Sequence, residues 1–216
     1  MALSNKTLKL IKFDLIKLKV RLFNSYKSVP VPDKKKLHIG CGSRLVKDWL
    51  NVDLTNSEFN LDLASGKLPW SDKTFEVIVS QHLIEHLEFD DEFLPLLKEF
   101  KRVSISGGGI WLTTPDMHEI SRLYIEGKSE DLFKDRKKRF PSYSIGRKPY
   151  QYMLNEYFHQ NGEHKNLIDF NLLKWALEEV GFYDINKASE GEFLDEFPEF
   201  PKRNDDNTTL YVRAKV

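Results

Sequence analysis

The alternation of apolar and polar positions divides the chain into short strand-like runs and longer helical stripes. Seven runs of five or six residues are apolar enough for strands, and they cover residues 37–41, 50–54, 59–63, 75–80, 109–113, 183–187 and 209–214. Apolar residues at three-and-four spacing predict helices over 8–23, 91–103 and 169–180, and another helix begins near His82. Gly181 suits the left-handed end of the helix over 169–180. Strands that alternate with helices predict an α/β fold with a doubly wound, mostly parallel sheet.

The first helical stripe is both apolar and basic. Its apolar positions are Leu8, Ile11, Leu15, Leu18 and Leu22, and lysines lie off that line. Residues 1–36 carry ten Lys or Arg against two Asp, a net charge of +8 in a chain whose total is zero. Such an arm suits an acidic partner, which is phospholipid, nucleic acid or the acidic remainder of this protein.

Composition limits the class of protein without naming a function. A chain of 216 residues with 40% hydrophobic and 31% charged residues fits one globular α/β domain with an insertion. Cys41 stands alone, so no disulfide forms within the chain, and a reducing compartment such as the cytoplasm is expected. No apolar run approaches the roughly 20 residues of a membrane span, and the interleaved lysines argue against a secretory signal.

A glycine turn and a downstream acid carry the first chemical signal. Gly40-Cys41-Gly42 ends the first apolar run, and Asp53 ends the second, eleven residues after Gly42. Glycines allow a tight turn and a close approach of a ligand to bare backbone. A carboxylate at the end of the next strand can accept hydrogen bonds from a ribose diol, so the pair indicates a nucleoside-cofactor site. The dinucleotide fingerprint G-x-G-x-x-G is not present, because Leu45 stands where the third glycine would be.

Five motifs in order resemble the class I S-adenosylmethionine-dependent methyltransferases. They are Gly40-Cys41-Gly42, Asp53, Asp62-Leu63 with the run 68–75, the stretch 80–87 that contains Glu85-His86, and 99–103 with 107–115. The resemblance spans about residues 36–181 and implies a seven-stranded Rossmann-like sheet with an antiparallel last strand, and S-adenosylmethionine as cofactor. It assigns the methionine part to Gly40, Cys41 and Gly42, the ribose to Asp53 with Leu54, adenine to Asp62 and Leu63, and the methyl-transfer channel to Ser80, Gln81 and His82. His38 stands where the family has an acid before the first glycine, and we include it among the cofactor residues.

More narrowly, the chain resembles small predicted methyltransferases that are associated with surface-polysaccharide and glycosyl-transfer pathways. This implies a small-molecule or sugar acceptor that presents a hydroxyl or an amine, with no specific nucleic acid as partner and no metal. The irregular, charged and aromatic stretch 116–166 is expected to be an insertion that forms the acceptor lid. His159 and His164 in that stretch are catalytic candidates, with a solvated loop as the alternative for each.

His82 is the main catalytic candidate, because it follows the fourth strand near the expected methyl group. It either takes the proton of the acceptor or only shapes the pocket. His82-Leu83-Ile84-Glu85-His86 also spells H-x-x-E-H, a zinc-peptidase pattern, which makes a zinc hydrolase a remote alternative. A non-catalytic cofactor-binding or scaffold protein of the same fold, in a glycan or membrane assembly, is the other alternative.

The first two connections are unusually short for parallel strands. Six residues, 43–48, separate the glycine turn from Trp49, and residues 55–58 form the next link, although a parallel crossover normally takes a dozen or more. The helices after the first two strands are therefore missing or reduced, which leaves one sheet face bare. We expect the helix over 8–23 to cover it; the alternative is peripheral contact with the inner face of the membrane. The predicted division is 1–33 as helix and linker, and 34–216 as the methyltransferase domain.

Overall fold

The computed structural model describes residues 4–25 and 32–216, and its centre is a seven-stranded sheet. The strands are β1 (Lys36–Ile39), β2 (Leu50–Asp53), β3 (Phe59–Asn60), β4 (Phe75–Gln81), β5 (Ser104–Pro115), β6 (Tyr183–Ala188) and β7 (Thr209–Lys215). Their order is β3-β2-β1-β4-β5-β7-β6. The pairs among β1 to β5 are parallel, and β7 lies antiparallel to both β5 and β6. The predicted fold class, including the antiparallel last strand, is confirmed.

Seven α-helices surround this sheet in the described part of the chain. They are α1 (Asn5–Ser25), α2 (Leu94–Val103), α3 (Met117–Ile125), α4 (Ser129–Arg139), α5 (Tyr152–His159), α6 (Phe170–Val180) and α7 (Glu190–Glu196). Asp169 caps α6 through Leu172 N at 2.8 Å, and Gly181 ends it with a left-handed φ of 91°. Both ends agree with the sequence pattern. The helix expected from His82 is only a single 3₁₀ turn, Ile84–His86.

The insertion between β5 and α6 is ordered, contrary to the irregular stretch that the sequence suggested. It consists largely of α3, α4 and α5, whose apolar residues form a small core of their own. That core contains Ile120, Leu123, Leu132, Ile145, Met153 and Tyr157. The mixed composition hid these helices, because each is short and α4 is mostly charged on its outer face.

The two short connections do lack helices, as predicted, but the cover of the sheet face is not the expected one. On that face, Val77, Val79 and Trp111 of the sheet pack against aromatic residues of α7 and of the segment that follows it. Those residues are Phe193, Phe197 and Phe200, with Trp49 from the shortened connection edge-on to the last two at ring distances of 5.3 and 4.9 Å. The opposite face packs against α2 and α6.

The predicted packing of α1 on the sheet is wrong. The residues of its apolar stripe are between 44% and 59% exposed. The described contacts that join α1 to the sheet edge are polar: Arg21 Nε donates to Asp62 at 2.6 Å, and Asn24 Nδ2 donates to the Asn60 carbonyl at 2.9 Å. The stripe itself therefore faces away from the protein core.

No helix in the described ranges is long and apolar enough to cross a membrane. Residues 1–3 and 26–31, including Pro30 of the predicted linker, lie outside the described residues. The division into 1–33 and 34–216 remains a prediction.

Candidate active site

The turn after β1 is tied to β2 by backbone hydrogen bonds. Gly40 N and Cys41 N both donate to the Val52 carbonyl, at 2.8 and 3.2 Å. Gly40 has a φ of 69°, and a Cβ there would lie 2.8 Å from the Leu83 Cβ. The first glycine is therefore required by the protein itself, both for its left-handed backbone and for the approach of Leu83.

Asp53 is held in place by the two backbone N–H groups at the ends of the first two strands. Gly42 N donates to Asp53 Oδ2 at 2.7 Å, and Leu54 N donates to Oδ1 at 2.6 Å. Gly42 has a φ of 54°, and a Cβ added there would meet nothing within 4 Å. The half-buried carboxylate thus lies beside open space, and each oxygen keeps acceptor capacity for a diol. These features fit the ribose of a nucleoside cofactor.

Asp62, the expected adenine contact, is already engaged by two donors. Arg21 Nε donates to Oδ2 at 2.6 Å, and Ala64 N donates to Oδ1 at 3.2 Å as the cap of a 3₁₀ turn, Leu63–Ser65. Asp62 is 2% exposed, and Leu63 beside it is buried. Sequence reasoning did not foresee Arg21, because that side chain comes from α1. The adenine assignment to Asp62 and Leu63 remains a prediction.

His38 and Cys41 have contacts typical of core residues. The His38 ring lies edge-on to Phe200 at 4.9 Å, and its Nδ1 is 3.2 Å from Asn51 Oδ1. Burial lowers the pKa of His38 to about 4, so the ring is neutral. Burial, and then the charge of Asp53, raise the pKa of the Cys41 thiol to about 12, which suits a packed residue and not a nucleophile. The described contacts of His38 account for it without a cofactor.

Unsatisfied polar atoms gather at the carboxyl ends of β4 and β5. Ser80 Oγ and Gln81 Oε1 on β4, and Thr113 Oγ1 and Thr114 Oγ1 on β5, are buried and have no hydrogen-bond partner among the described residues. Gln81 pairs with Thr113 in the register of the two strands. In an open α/β sheet this edge is where ligands bind, so the predicted places of Ser80 and Gln81 agree with the fold.

His82 follows β4 in a left-handed conformation, with φ of 54°. Its Nδ1 lies 3.2 Å from Glu85 Oε1, and its Nε2 lies 3.2 Å from Asp205 Oδ2 and from Thr209 Oγ1. Both ring nitrogens therefore meet carboxylates, which favours a positioning role for the ring over a free base. This backbone also excludes the zinc-peptidase arrangement, because His82 does not share a helical turn with His86.

Asp205 is the residue at this site that sequence reasoning missed. It is fully buried, and it accepts hydrogen bonds from Tyr211 Oη at 2.7 Å and Arg203 Nε at 2.9 Å. Burial alone would raise the pKa of Asp205, but its contact with His82 and the charge of Arg203 outweigh burial and lower it. The only sequence signal for Asp205 was the polar turn 204–207 before β7. Such a turn cannot be distinguished from an ordinary surface loop by sequence.

The two histidines of the insertion have different surroundings. His159 is exposed at the end of α5. His164 is half-buried: its Nδ1 lies 2.6 Å from the Tyr157 carbonyl, and its ring packs edge-on against His86 at 4.9 Å. Burial lowers the pKa of His164. The structure thus brings His164, but not His159, to the turn that follows β4.

The remaining acid at this turn is Glu85, which is 2% exposed. Burial alone would raise its pKa, but the hydrogen bond and charge of His82, and then the charge of His86, outweigh burial and lower it. Glu85 is therefore ionised. Its Oε1 contacts His82, and one of its carboxylate oxygens lies within 4.8 Å of a ring nitrogen of His86 and of His164.

A mostly parallel sheet, with a glycine turn and an oriented carboxylate at the ends of its first two strands, is typical of nucleoside-cofactor enzymes of the doubly wound class. The comparisons then specify the chemistry. Residues 46–112 match a family model described as "Methyltransferase domain". This match covers about a third of the chain, and it supports methyltransferase activity with S-adenosylmethionine as the cofactor. No curated protein matches the chain significantly.

Solved structures to which the chain is similar include three methyltransferases of low identity. One, from Archaeoglobus fulgidus, is 16% identical, with 99% of this chain and 100% of that chain covered and a TM-score of 0.48. Another, from Methanosarcina mazei, is 15% identical, with coverages of 90% and 96% and a TM-score of 0.49. The third is Haemonchus contortus phosphoethanolamine N-methyltransferase 2 in complex with S-adenosyl-L-methionine, which is 13% identical, with coverages of 91% and 51% and a TM-score of 0.48. At these scores the likenesses carry no weight for acceptor or mechanism.

Proposed function

We propose that this protein transfers the methyl group of S-adenosylmethionine to a hydroxyl or amine of a small molecule or sugar. In this proposal the Asp53 carboxylate accepts hydrogen bonds from the ribose hydroxyls of the cofactor. The observation that carries the assignment of Asp53 is its carboxylate, fixed by Gly42 N and Leu54 N beside the open side of Gly42. S-adenosylmethionine supplies an activated methyl on a sulfonium. The protein contributes by positioning the cofactor and the acceptor. The turn 40–42 receives the methionine part of the cofactor, and the ends of β4 and β5 exclude water.

Calorimetric titration with S-adenosylhomocysteine tests the role of Asp53. Asp53→Ala should weaken binding about tenfold or more, because a hydrogen bond to a charged group contributes roughly 1.5–3 kcal/mol. Asp53→Asn keeps one acceptor oxygen and should lie between Asp53→Ala and the wild type. Asp195→Ala, which removes an exposed carboxylate on α7, is the matched control. Equal affinities for all four proteins would contradict the assignment.

The acceptor side of the proposal rests on the insertion. Tyr150 is 40% exposed, and its ring is backed by Phe133 at 5.5 Å, which is a surface on which a sugar ring can stack. Tyr157, another of the aromatic residues in this stretch, is buried and belongs to the local core. Incubation with cofactor labelled in its methyl group and a panel of sugars, nucleotide sugars and amines identifies the acceptor. Transfer to none of the sugars, with transfer to another acceptor, would overturn the glycan part.

We also infer peripheral contact with an anionic membrane through α1. Leu8, Leu15 and Leu18 are each at least 50% exposed, and Lys12 and Lys19 lie on the same helix. An apolar stripe with lysines beside it suits a helix that lies in a phospholipid headgroup layer.

Sedimentation with vesicles tests the membrane contact. The protein should bind vesicles that contain phosphatidylserine, and bind vesicles of phosphatidylcholine alone much less. Leu15→Asp should reduce binding about tenfold, because burial of a leucine contributes roughly 1.5–3 kcal/mol. Ile125→Asp changes an apolar residue on α3 that is even more exposed, at 81% against 59% for Leu15, and is the control. Binding that is equal for wild type and Leu15→Asp would contradict the inference.

A further inference from the structure

Three side chains with metal-ligand chemistry converge on the turn after β4, outside the cofactor turn. Glu85 and His86 come from the 3₁₀ turn, and His164 comes from the segment that follows α5. One ligand atom from each lies within 4.8 Å of the other two. Bonds of about 2.0–2.2 Å to a tetrahedral zinc ion place ligand atoms about 3.4 Å apart. Small side-chain rotations would therefore complete the set.

The two histidines are oriented as metal ligands are. His86 Nδ1 lies 3.2 Å from the Glu163 carbonyl, and His164 Nδ1 lies 2.6 Å from the Tyr157 carbonyl. A carbonyl oxygen only accepts, so each Nδ1 carries the proton and donates it. Each Nε2 then keeps a lone pair. In metal sites the outer nitrogen of a histidine is usually fixed in this way by a carbonyl or carboxylate.

Glu85 supplies the charge and an unsatisfied atom. Its Oε1 faces His82 at 3.2 Å, whereas its Oε2 is buried and has no hydrogen-bond partner among the described residues. A buried carboxylate oxygen without a donor is unfavourable unless something else compensates it. A cation bound between Glu85 and the two Nε2 atoms would provide that compensation.

We propose that Glu85, His86 and His164 bind one divalent first-row transition-metal ion, with zinc as the ion that this donor set fits best. Two imidazoles and one carboxylate suit zinc, whereas magnesium prefers oxygen ligands alone. The ion would join the insertion to the turn after β4, where Lys165 N and Asn166 N already donate to the Glu85 carbonyl at 2.8 and 3.2 Å. Three protein ligands leave one position for water or for an oxygen of the acceptor. This site departs from the expectation that no metal is involved.

The residues of the H-x-x-E-H pattern have different roles in this site from those in a zinc peptidase. In a zinc peptidase both histidines of the pattern bind the metal and the glutamate acts as base. Here Glu85 and His86 are ligands, the third ligand is 78 residues further along the chain at His164, and His82 contacts the other oxygen of Glu85. Sequence spacing alone does not reveal such a set.

Calorimetric titration of the full chain with zinc chloride, after treatment with EDTA and without a histidine tag, tests the proposal. The expected result is one zinc ion per chain. His164→Ala and Glu85→Gln should each weaken zinc binding about 100-fold, because changes even to residues that only orient metal ligands cost roughly 10–100-fold. His118→Ala removes an exposed histidine of α3 and is the matched control, with unchanged affinity.

Circular dichroism of each variant shows whether it folds. If only one of the two ligand variants folds, the zinc affinity of that variant decides the test. Zinc binding that is equal in wild type, His164→Ala and Glu85→Gln would overturn the site. So would an equal loss of affinity in His118→Ala, or tight binding of magnesium in place of zinc. Because the titration is done without cofactor or acceptor, its outcome is independent of the proposed methyl acceptor.

Discussion

Two histidines of this protein, the half-buried His82 and the buried His38, meet opposite surroundings. His82 lies between the carboxylates of Glu85 and Asp205, whereas His38 packs against Phe200 and, among the described residues, has one hydrogen-bond partner, Asn51. Asn51 Oδ1 also accepts from Val46 N, so His38 Nδ1 is the donor in its contact with this oxygen. A charged His38 would have no carboxylate among its described contacts. The environment of His38 therefore opposes protonation and makes it a source of acid sensitivity.

His38 should make the protein less stable as the pH falls from about 6.5 to about 4. The unfolded chain takes up the His38 proton near pH 6.5, but the folded protein resists it until about pH 4. In that window the free energy of unfolding should fall by up to about 1.4 kcal/mol per pH unit through this residue. Above pH 6.5 its contribution is fully present.

Urea unfolding of wild type and His38→Gln across this range measures the effect. The glutamine does not titrate, so the variant should show a flatter dependence of stability on pH, whatever its stability at pH 7. Two curves with the same slope between pH 6.5 and pH 4 would contradict this account of His38.

At the element scale, the aromatic segment after β6 takes the place of the two missing helices. Phe193 of α7 lies 5.4 Å from the Trp111 ring and 5.1 Å from the Phe200 ring, and it is 1% exposed. Trp49, from the shortened connection, completes the layer. Removal of a large side chain from this layer leaves a cavity against the sheet. Removal of an apolar side chain from the exposed stripe of α1 does not.

Phe193→Ala should lower the free energy of unfolding by about 3–5 kcal/mol, as expected for a buried phenylalanine. Leu15→Ala, on the 59% exposed position of α1, should change it by less than about 0.5 kcal/mol. Denaturant unfolding of the two variants compares the two candidate covers directly. A larger loss for Leu15→Ala would restore the original hypothesis that α1 packs on the sheet.

The sequence predicted the features that depend on residues close together along the chain. It did not predict those that depend on contacts between distant segments. Strand positions, the missing helices and the Gly42–Asp53 pair follow from period, glycine chemistry and chain length between motifs. The cover of the sheet does not, because Phe193, Phe197 and Phe200 are spaced like surface residues of a loop. The same holds for Asp205, Arg21 and His164, whose partners are 41 to 123 residues away along the chain.

At the scale of the whole molecule, the sites share one edge of the sheet. The ends of β1 and β2 hold Asp53, the ends of β4 and β5 hold the unsatisfied polar atoms, and the turn after β4 carries Glu85 and His86. The helical insertion reaches this edge through His164, and α1 reaches Asp62 through Arg21 and β3 through Asn24. Cofactor, acceptor and metal would thus be organised by the same set of strand ends.

A crystal structure of the protein with S-adenosylhomocysteine tests the central claim most directly. We expect both ribose hydroxyls within hydrogen-bond distance of the Asp53 carboxylate, and the homocysteine part against the backbone of residues 40–42. A cofactor bound away from Asp53, with that carboxylate contacting only Gly42 N and Leu54 N, would contradict it.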